Sequence, residues 1–253
     1  MQGKPLPERI EPDAIVEALV EFRFEHTDLP EAIVGRLLDA SLWADYSRVR
    51  LPTADIPQPI RESEGNFRYL PTIELRNKEH TRSVKIGSHV LSYHVLPPYP
   101  GWTAFCDELQ IVLSTLVETL KSDNFSRLGF RYINVLRPDD HHVSGLADTN
   151  ITVMISNERL THSVNLNYKR TFDSNHTVTV KVSTPEFVAG QVRPGYSLLC
   201  DIDVATKSDV SLAGFDATLG WIKSAHKLGK QEFFKILPDA ITEQLTVREG
   251  ISL

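Results

Sequence analysis

Four side chains in this sequence are of a type and in a position to touch a ligand: Arg23, Trp102, Arg131 and His226. Arg23 and Arg131 occupy matching places in two short phrases, Phe22-Arg23-Phe24 and Phe130-Arg131-Tyr132. On a covered sheet face, two guanidiniums so placed would clamp an anionic ligand. On an open face they would pair with Glu21 or Glu25, contacts worth little. His226 lies in a seam at spacings of three and four: Leu212, Phe215, Leu219, Ile222, His226, Gly229, Phe233 and Ile236. A histidine and a glycine interrupting an apolar stripe fit a ligand or partner approaching the helix. They also fit a core histidine bonded to a strand carbonyl, with the glycine letting the sheet pack close, and this plainer account is preferred. Trp102 opens the other long amphipathic segment, so it and His226 would border any concavity between helices and sheet.

Asp139-Asp140-His141-His142 is the densest polar cluster. Adjacent histidines can ligate a metal, with aspartates in support. Neighbouring side chains on extended backbone point apart, however, and the cluster reads as a solvated turn after Pro138, with no metal assigned. The sequence contains no Gly-x-Ser-x-Gly, Gly-x-x-x-x-Gly-Lys, Gly-x-Gly-x-x-Gly, His-Glu-x-x-His or Cys-x-x-Cys. The commonest routes to nucleophilic, nucleotide-dependent and metal-dependent catalysis are therefore missing. No catalytic residue and no cofactor are assigned, and a non-enzymatic role is favoured. Cys106 and Cys200 sit among apolar neighbours and read as buried thiols.

The elements that must position these residues follow from periodicity. Val16 to Glu25 alternates as a strand with one buried face. Asp28 and Glu31 look like a capping pair ahead of a helix carrying Ile33, Leu37 and Leu38. An irregular, proline-rich stretch runs from Trp43 to Pro59, with a short strand at Ser47 to Leu51. Three strands follow, marked by Phe67, Tyr69, Ile73 and Leu75, by Val84 and Ile86, and by Leu91, Tyr93 and Val95. A long helix spans Trp102 to Lys121. The second half opens on a strand from Ser126 to Leu136. Strands come next at Ile151 to Ile155, Leu160 to Thr171, Val178 to Val182 and Leu198 to Val204. A long helix from Leu212 to Ile236 and a short one after Pro238 complete the chain.

The two halves share this order of elements, which predicts an α+β fold made of a tandem pseudo-repeat. Residues 1–123 would form one strand–helix–four-strand–helix unit. Residues 124–253 would form the second, with a reduced first helix, the two making one compact domain. The element order is that of TATA-binding-protein-like and helix-grip folds, in which a long helix packs on a curved antiparallel sheet.

Three segments carry a resemblance: Ile15 to Phe24; Leu91-Ser92-Tyr93 with Pro100-Gly101-Trp102 and Phe105; and Arg127 to Asn134. With His226 and Phe233, they make the chain similar to a sporadically distributed, uncharacterised bacterial protein family of about this length. The resemblance implies a patchily inherited gene and a standalone cytoplasmic product, and makes a place beside mobile-element or defence genes a reasonable expectation. It brings no activity, substrate or catalytic residue.

A net charge of −6 gives no general attraction to phosphate backbones or anionic lipid, and Glu17, Glu21, Asp201 and Asp203 weigh against nucleic acid on the sheet. No segment reaches the roughly 20 apolar residues of a membrane span, and the start lacks a signal-peptide core. The expectation is a soluble binding or interaction protein, a homodimer open to a protein partner. The alternative is a small-ligand pocket protein, or an enzyme with an unfamiliar site, between sheet and long helices.

Overall fold

A computed structural model of the chain describes residues 6–187, 195–207 and 210–246. The first half holds β1 (Ile15–Arg23), α1 (Pro30–Leu38), β2 (Ser47–Arg50), α2 (Gln58–Ser63), α3 (Gly65–Arg68), β3 (Ile73–Arg76), β4 (Arg82–Ile86), β5 (Val90–Val95) and α4 (Trp102–Leu120). The second holds β6 (Asn124–Phe125), β7 (Arg127–Leu136), α5 (Pro138–His141), β8 (Val153–Ile155), β9 (Glu158–Leu160), β10 (Asn165–Thr171), β11 (His176–Ser183), β12 (Leu198–Thr206), β13 (Leu212–Ala213), α6 (Phe215–Ile236) and α7 (Asp239–Leu245).

The protein is α+β, built on a nine-stranded antiparallel sheet in the order β10-β11-β12-β7-β1-β5-β4-β3-β2. The opening strands of the two halves, β1 and β7, are neighbours at its centre, with Val20 opposite Phe130 and Arg23 opposite Arg127. Each is flanked on its other side by the last long strand of its own half, β5 or β12. This order is compatible with a pseudo-repeat.

Alternation gives the sheet two unlike faces. Ala18, Val20 and Phe22 of β1 and Leu128, Phe130 and Tyr132 of β7 point to the helix side, where all are buried. Against them α4 lays Phe105, Leu109, Val112, Leu113 and Leu116, and α6 lays Leu219, Ile222, Ala225 and Phe233. Burying a side chain of this size stabilises by about 1.5–3 kcal/mol, so this layer holds the fold together. Both thiols are buried in it and unpaired.

Several elements depart from the sequence reading. Leu29, not Asp28, is the N-cap of α1, and Asp28 instead pairs with Arg36. Phe67 lies in the short helix α3 and Tyr69 caps it, so the third strand keeps only Ile73–Arg76. The single strand expected from Leu160 to Thr171 is two. It is broken at Ser163, whose φ of 52° turns the chain out of extended geometry, and β9 joins β8 in a separate hairpin. Helix α6 starts at Phe215 behind Gly214 (φ 100°), because Leu212–Ala213 pairs with Asn124–Phe125. Trp221, off the main apolar seam of α6, is buried and stacked on His176. His141 is fully buried rather than solvated: its Nδ1 accepts the Arg137 N–H at 3.0 Å and its Nε2 lies 3.2 Å from the Pro12 carbonyl.

Candidate functional site

The four residues singled out from sequence fall into two sites on opposite faces of the sheet. Trp102 and His226 meet on the helix side; Arg23 and Arg131 share the outer face.

On the helix side the first turn of α4, the middle of α6, the end of β7 and the segment Glu8–Ile15 enclose a cavity of about 340 Å³. The N-terminal segment is held there by main-chain pairing with the end of α7: Glu11 donates to the Leu245 carbonyl at 2.9 Å, and Ile10 bridges to Thr246. The Trp102 and His226 rings stack with centroids 3.8 Å apart and planes within 2°. His226 Nδ1 is 2.9 Å from the Tyr132 hydroxyl, which is 3.1 Å from the Tyr99 hydroxyl. His226 therefore bonds a strand side chain, not a strand carbonyl. Gly229, one turn on, packs beside the same ring: a Cβ there would meet Tyr132 at 3.5 Å, an ordinary contact, so the glycine is not what permits the His226 bond.

Burial, aided by the charge of Lys230, pushes the His226 pKa down to about 4, so the ring is neutral near pH 7. Burial first, and then Tyr99, holds Tyr132 well above the usual phenol range. The chain is satisfied when Tyr99 donates to Tyr132 and Tyr132 donates to Nδ1. We assign the ring hydrogen to Nε2 on that basis.

Two further polar groups line the cavity. Asn134 is 2% exposed; its amide donates to the Cys200 carbonyl at 3.3 Å, and its Oδ1 accepts from no group among the described residues. Lys230 has no hydrogen-bond or ion-pair partner among them either, and burial lowers its pKa. Phe233 and Phe234 add apolar wall.

On the outer face, Arg131 makes a two-pronged pair with Asp201, both bonds 2.6 Å. Arg23 donates to Glu21 at 2.8 Å and lies over the Tyr69 ring at 4.7 Å, and Arg127 donates to Glu21 at 2.6 Å. They border a dip of about 220 Å³, with the Arg127 guanidinium lying over Gly129, where a Cβ would meet its Nη1 at 3.3 Å. Burial raises the Asp203 pKa there, against the pull of Arg127 and Arg131.

Farther along the same face, Ser92 Oγ is 2.8 Å from His94 Nε2, and His94 Nδ1 is 2.6 Å from Glu17 Oε1. Burial keeps His94 below its ordinary pKa, which leaves the imidazole neutral. This is the connectivity of a serine–histidine–carboxylate triad. Acyl transfer also needs donors for the oxyanion and room for the substrate. Strand β5 is paired on both sides, so its amides belong to the sheet, and Ser92 is only 7% exposed. Among the described residues no three His, Cys, Asp or Glu side chains are grouped to hold a metal ion.

Of the residues that line the cavity, the sequence reading singles out Trp102 and His226 but not Tyr99, Asn134 or Lys230, and takes Tyr132 only as part of a strand phrase. A phenol among apolar strand residues and a lysine one turn after His226 were the available signals.

No family model and no curated protein matches the chain. Among solved structures, the chain overlaps the duplicated taurocyamine kinase from Schistosoma mansoni, bound to transition state analog components. The TM-score is 0.41 at 13% identity over 94% of this chain, and the chain spans 36% of the kinase's length. A structure described as KH domains overlaps with a TM-score of 0.18 at 9% identity, over 88% of this chain and 63% of that one. Neither overlap is close enough to denote a shared fold. No helix among the described residues is long and apolar enough to cross a membrane.

Proposed function

We propose that this chain is a binding protein whose functional centre is the cavity between α4, α6, β7 and the N-terminal segment, and that its ligand is a small organic molecule. The observation that carries this reading is the convergence of an aromatic wall with unmatched polar groups, Asn134 Oδ1 and Lys230, around about 340 Å³ of space. That volume lies in the range of small-ligand sites, which pair apolar walls with a few placed polar groups. Arg23 and Arg131 serve the sheet in this reading, since each guanidinium already has a carboxylate. The test is a fragment screen by ligand-detected NMR, run beside Thr103→Trp, which fills the cavity mouth from an exposed position. Hits that vanish in the variant support the cavity; no hits, or hits that persist in the variant, refute it.

A second property, homodimerisation of a cytoplasmic protein, is favoured by the free edge at β10. Its outward side chains Asn165, Asn167 and Lys169 include one charge, its other cation, Arg170, is paired with Glu232 on the opposite face, and Tyr168 and Phe172 are exposed beside it. An unblunted edge of this kind invites strand pairing. The opposite edge, β2, carries Arg48 and Arg50. Light scattering after size exclusion should give the mass of two chains; a one-chain mass throughout would exclude the dimer. The two halves are read as copies of one unit, 1–123 and 124–253.

A further inference from the structure

We infer that the cavity selects an organic anion, a small carboxylate with an apolar body, through Lys230, the His226 Nε2–H and the open N-terminus of α4. The inference rests on the cavity being a ligand site and adds the chemical class.

Three independent features around one space favour negative charge. Lys230 is a cation half-withdrawn from water with no carboxylate within ion-pair distance among the described residues. A counter-charge would compensate for the hydration such a lysine has lost, and the described residues supply none in contact. His226, neutral and accepting at Nδ1, keeps Nε2–H as a donor on the cavity wall. The third feature is α4 itself, 19 residues long, with Gly101 as N-cap, no side-chain cap and no acidic residue in its first turn. Its helical hydrogen bonds begin with the Phe105 amide donating to Gly101, so the amides of Trp102 and Thr103, which border the cavity, have no intrahelical acceptor. Uncapped amides at the positive end of a long helix attract anions.

Asn134 adds a second point of recognition. Its Oδ1, which accepts from no group among the described residues, is free to accept from a hydroxyl or N–H of the ligand, away from the anionic end. Phe233 and Phe234 supply the surface on which the apolar body would rest.

Two carboxylates, Glu8 and Asp13, also border the space, on the exposed N-terminal segment. Burial raises the Asp13 pKa, against the pull of the Ile15 amide, which it accepts at 2.9 Å, and of Arg9. Glu8 acts on Lys230 without forming an ion pair. They balance the rim without satisfying the groups inside.

The test uses matched pairs of acid and primary amide: phenylacetate with phenylacetamide, 4-hydroxybenzoate with 4-hydroxybenzamide, indole-3-acetate with indole-3-acetamide. Dissociation constants are measured by NMR titration at pH 7 on the wild-type chain, Lys230→Met and Thr103→Trp. The expected result is a preference of about tenfold or more for the acid in at least one pair, in line with a charge-assisted hydrogen bond. Lys230→Met should reduce it below about threefold with the amide's affinity unchanged, and Thr103→Trp should abolish binding of both. Amides binding as well as acids, or a preference that survives Lys230→Met, would overturn the anion inference and leave the ligand reading standing. Failure of every compound to bind would overturn both.

Discussion

Acidification should test the state of His226 directly. Its folded pKa of about 4 lies below the value near 6.5 expected of an unfolded chain. A depressed histidine pKa stabilises the fold where the ring is neutral in both states, and that contribution is lost as pH falls. At pH 7 both states are neutral. At about pH 4.5 the unfolded chain has taken up its proton while the folded ring is still mostly bare. Each pH unit in that window costs about 1.4 kcal/mol, so two units remove roughly 2–3 kcal/mol. Partial solvent access to the ring places the lower end as the working value. Other groups titrate as well: burial also lowers His94 and His141 and raises Asp203. The measured quantity is therefore the difference between wild type and His226→Gln, from urea unfolding at pH 7, 5.5 and 4.5. The wild type should lose about 2 kcal/mol more than the variant. Parallel pH profiles would refute the reasoning. So would an NMR titration of the His226 ring in the wild type with a midpoint near 6.5, a readout that holds even if the variant folds poorly.

Two further outcomes follow from packing. Gly87→Ala should lower stability by about 1–3 kcal/mol, because a Cβ there would lie 2.6 Å from the Leu70 carbonyl oxygen and 3.0 Å from Val90 Cγ1; an unchanged urea midpoint would contradict it. Cys200 is fully enclosed, with burial pushing its thiol up to about 12, and Cys106 is 7% exposed with its thiol also raised by burial. Neither should react quickly with a thiol reagent at pH 8 until urea unfolds the chain, and a fast reaction of the native protein at either position would contradict the buried assignment.

Elements governed by a single period were legible in the sequence. The alternation of Ala18, Val20 and Phe22 and the three-four spacing of Phe105, Leu109, Val112 and Leu116 correspond to β1 and α4, because one buried face dictates each pattern. Local backbone events were not legible. Ser163 breaks an apparently continuous strand through one left-handed residue, and nothing in an alternating pattern encodes that. Phe67 and Tyr69 mimic alternation yet belong to a helical turn and its cap. At the site, His226 was visible because it interrupts its own seam. Its partners were hidden by distance along the chain: Tyr132 lies 94 residues away, and Tyr99 reaches His226 only through Tyr132. Glu17 and His94, 77 residues apart, were unpredictable for the same reason.

The two faces of the sheet handle polar groups differently, and the difference supports the proposal of a ligand site on the helix side. On the outer face most charges are matched within the chain: Arg131 with Asp201, Arg23 and Arg127 with Glu21, His94 with Glu17 and Ser92, while Lys85 has no ion pair among the described residues. Such matching is what a sheet face bare of helices needs in order to remain folded and uncommitted, and it uses up the groups that could bind or react. The Ser92–His94–Glu17 chain illustrates the point, since its connectivity is that of a catalytic set while its serine is enclosed by a sheet with no amide to spare. On the helix side, hydrophobic packing carries stability, and polar groups are tolerated there only when satisfied or in use. Lys230, Asn134 Oδ1 and the first amides of α4 are unsatisfied by the chain and border one space. Buried side-chain atoms without a partner also occur away from the cavity, at Ser126 Oγ, His176 Nε2 and Thr218 Oγ1, so what singles out Lys230 and Asn134 is the open space beside them, and it is that space which supports the proposed ligand site.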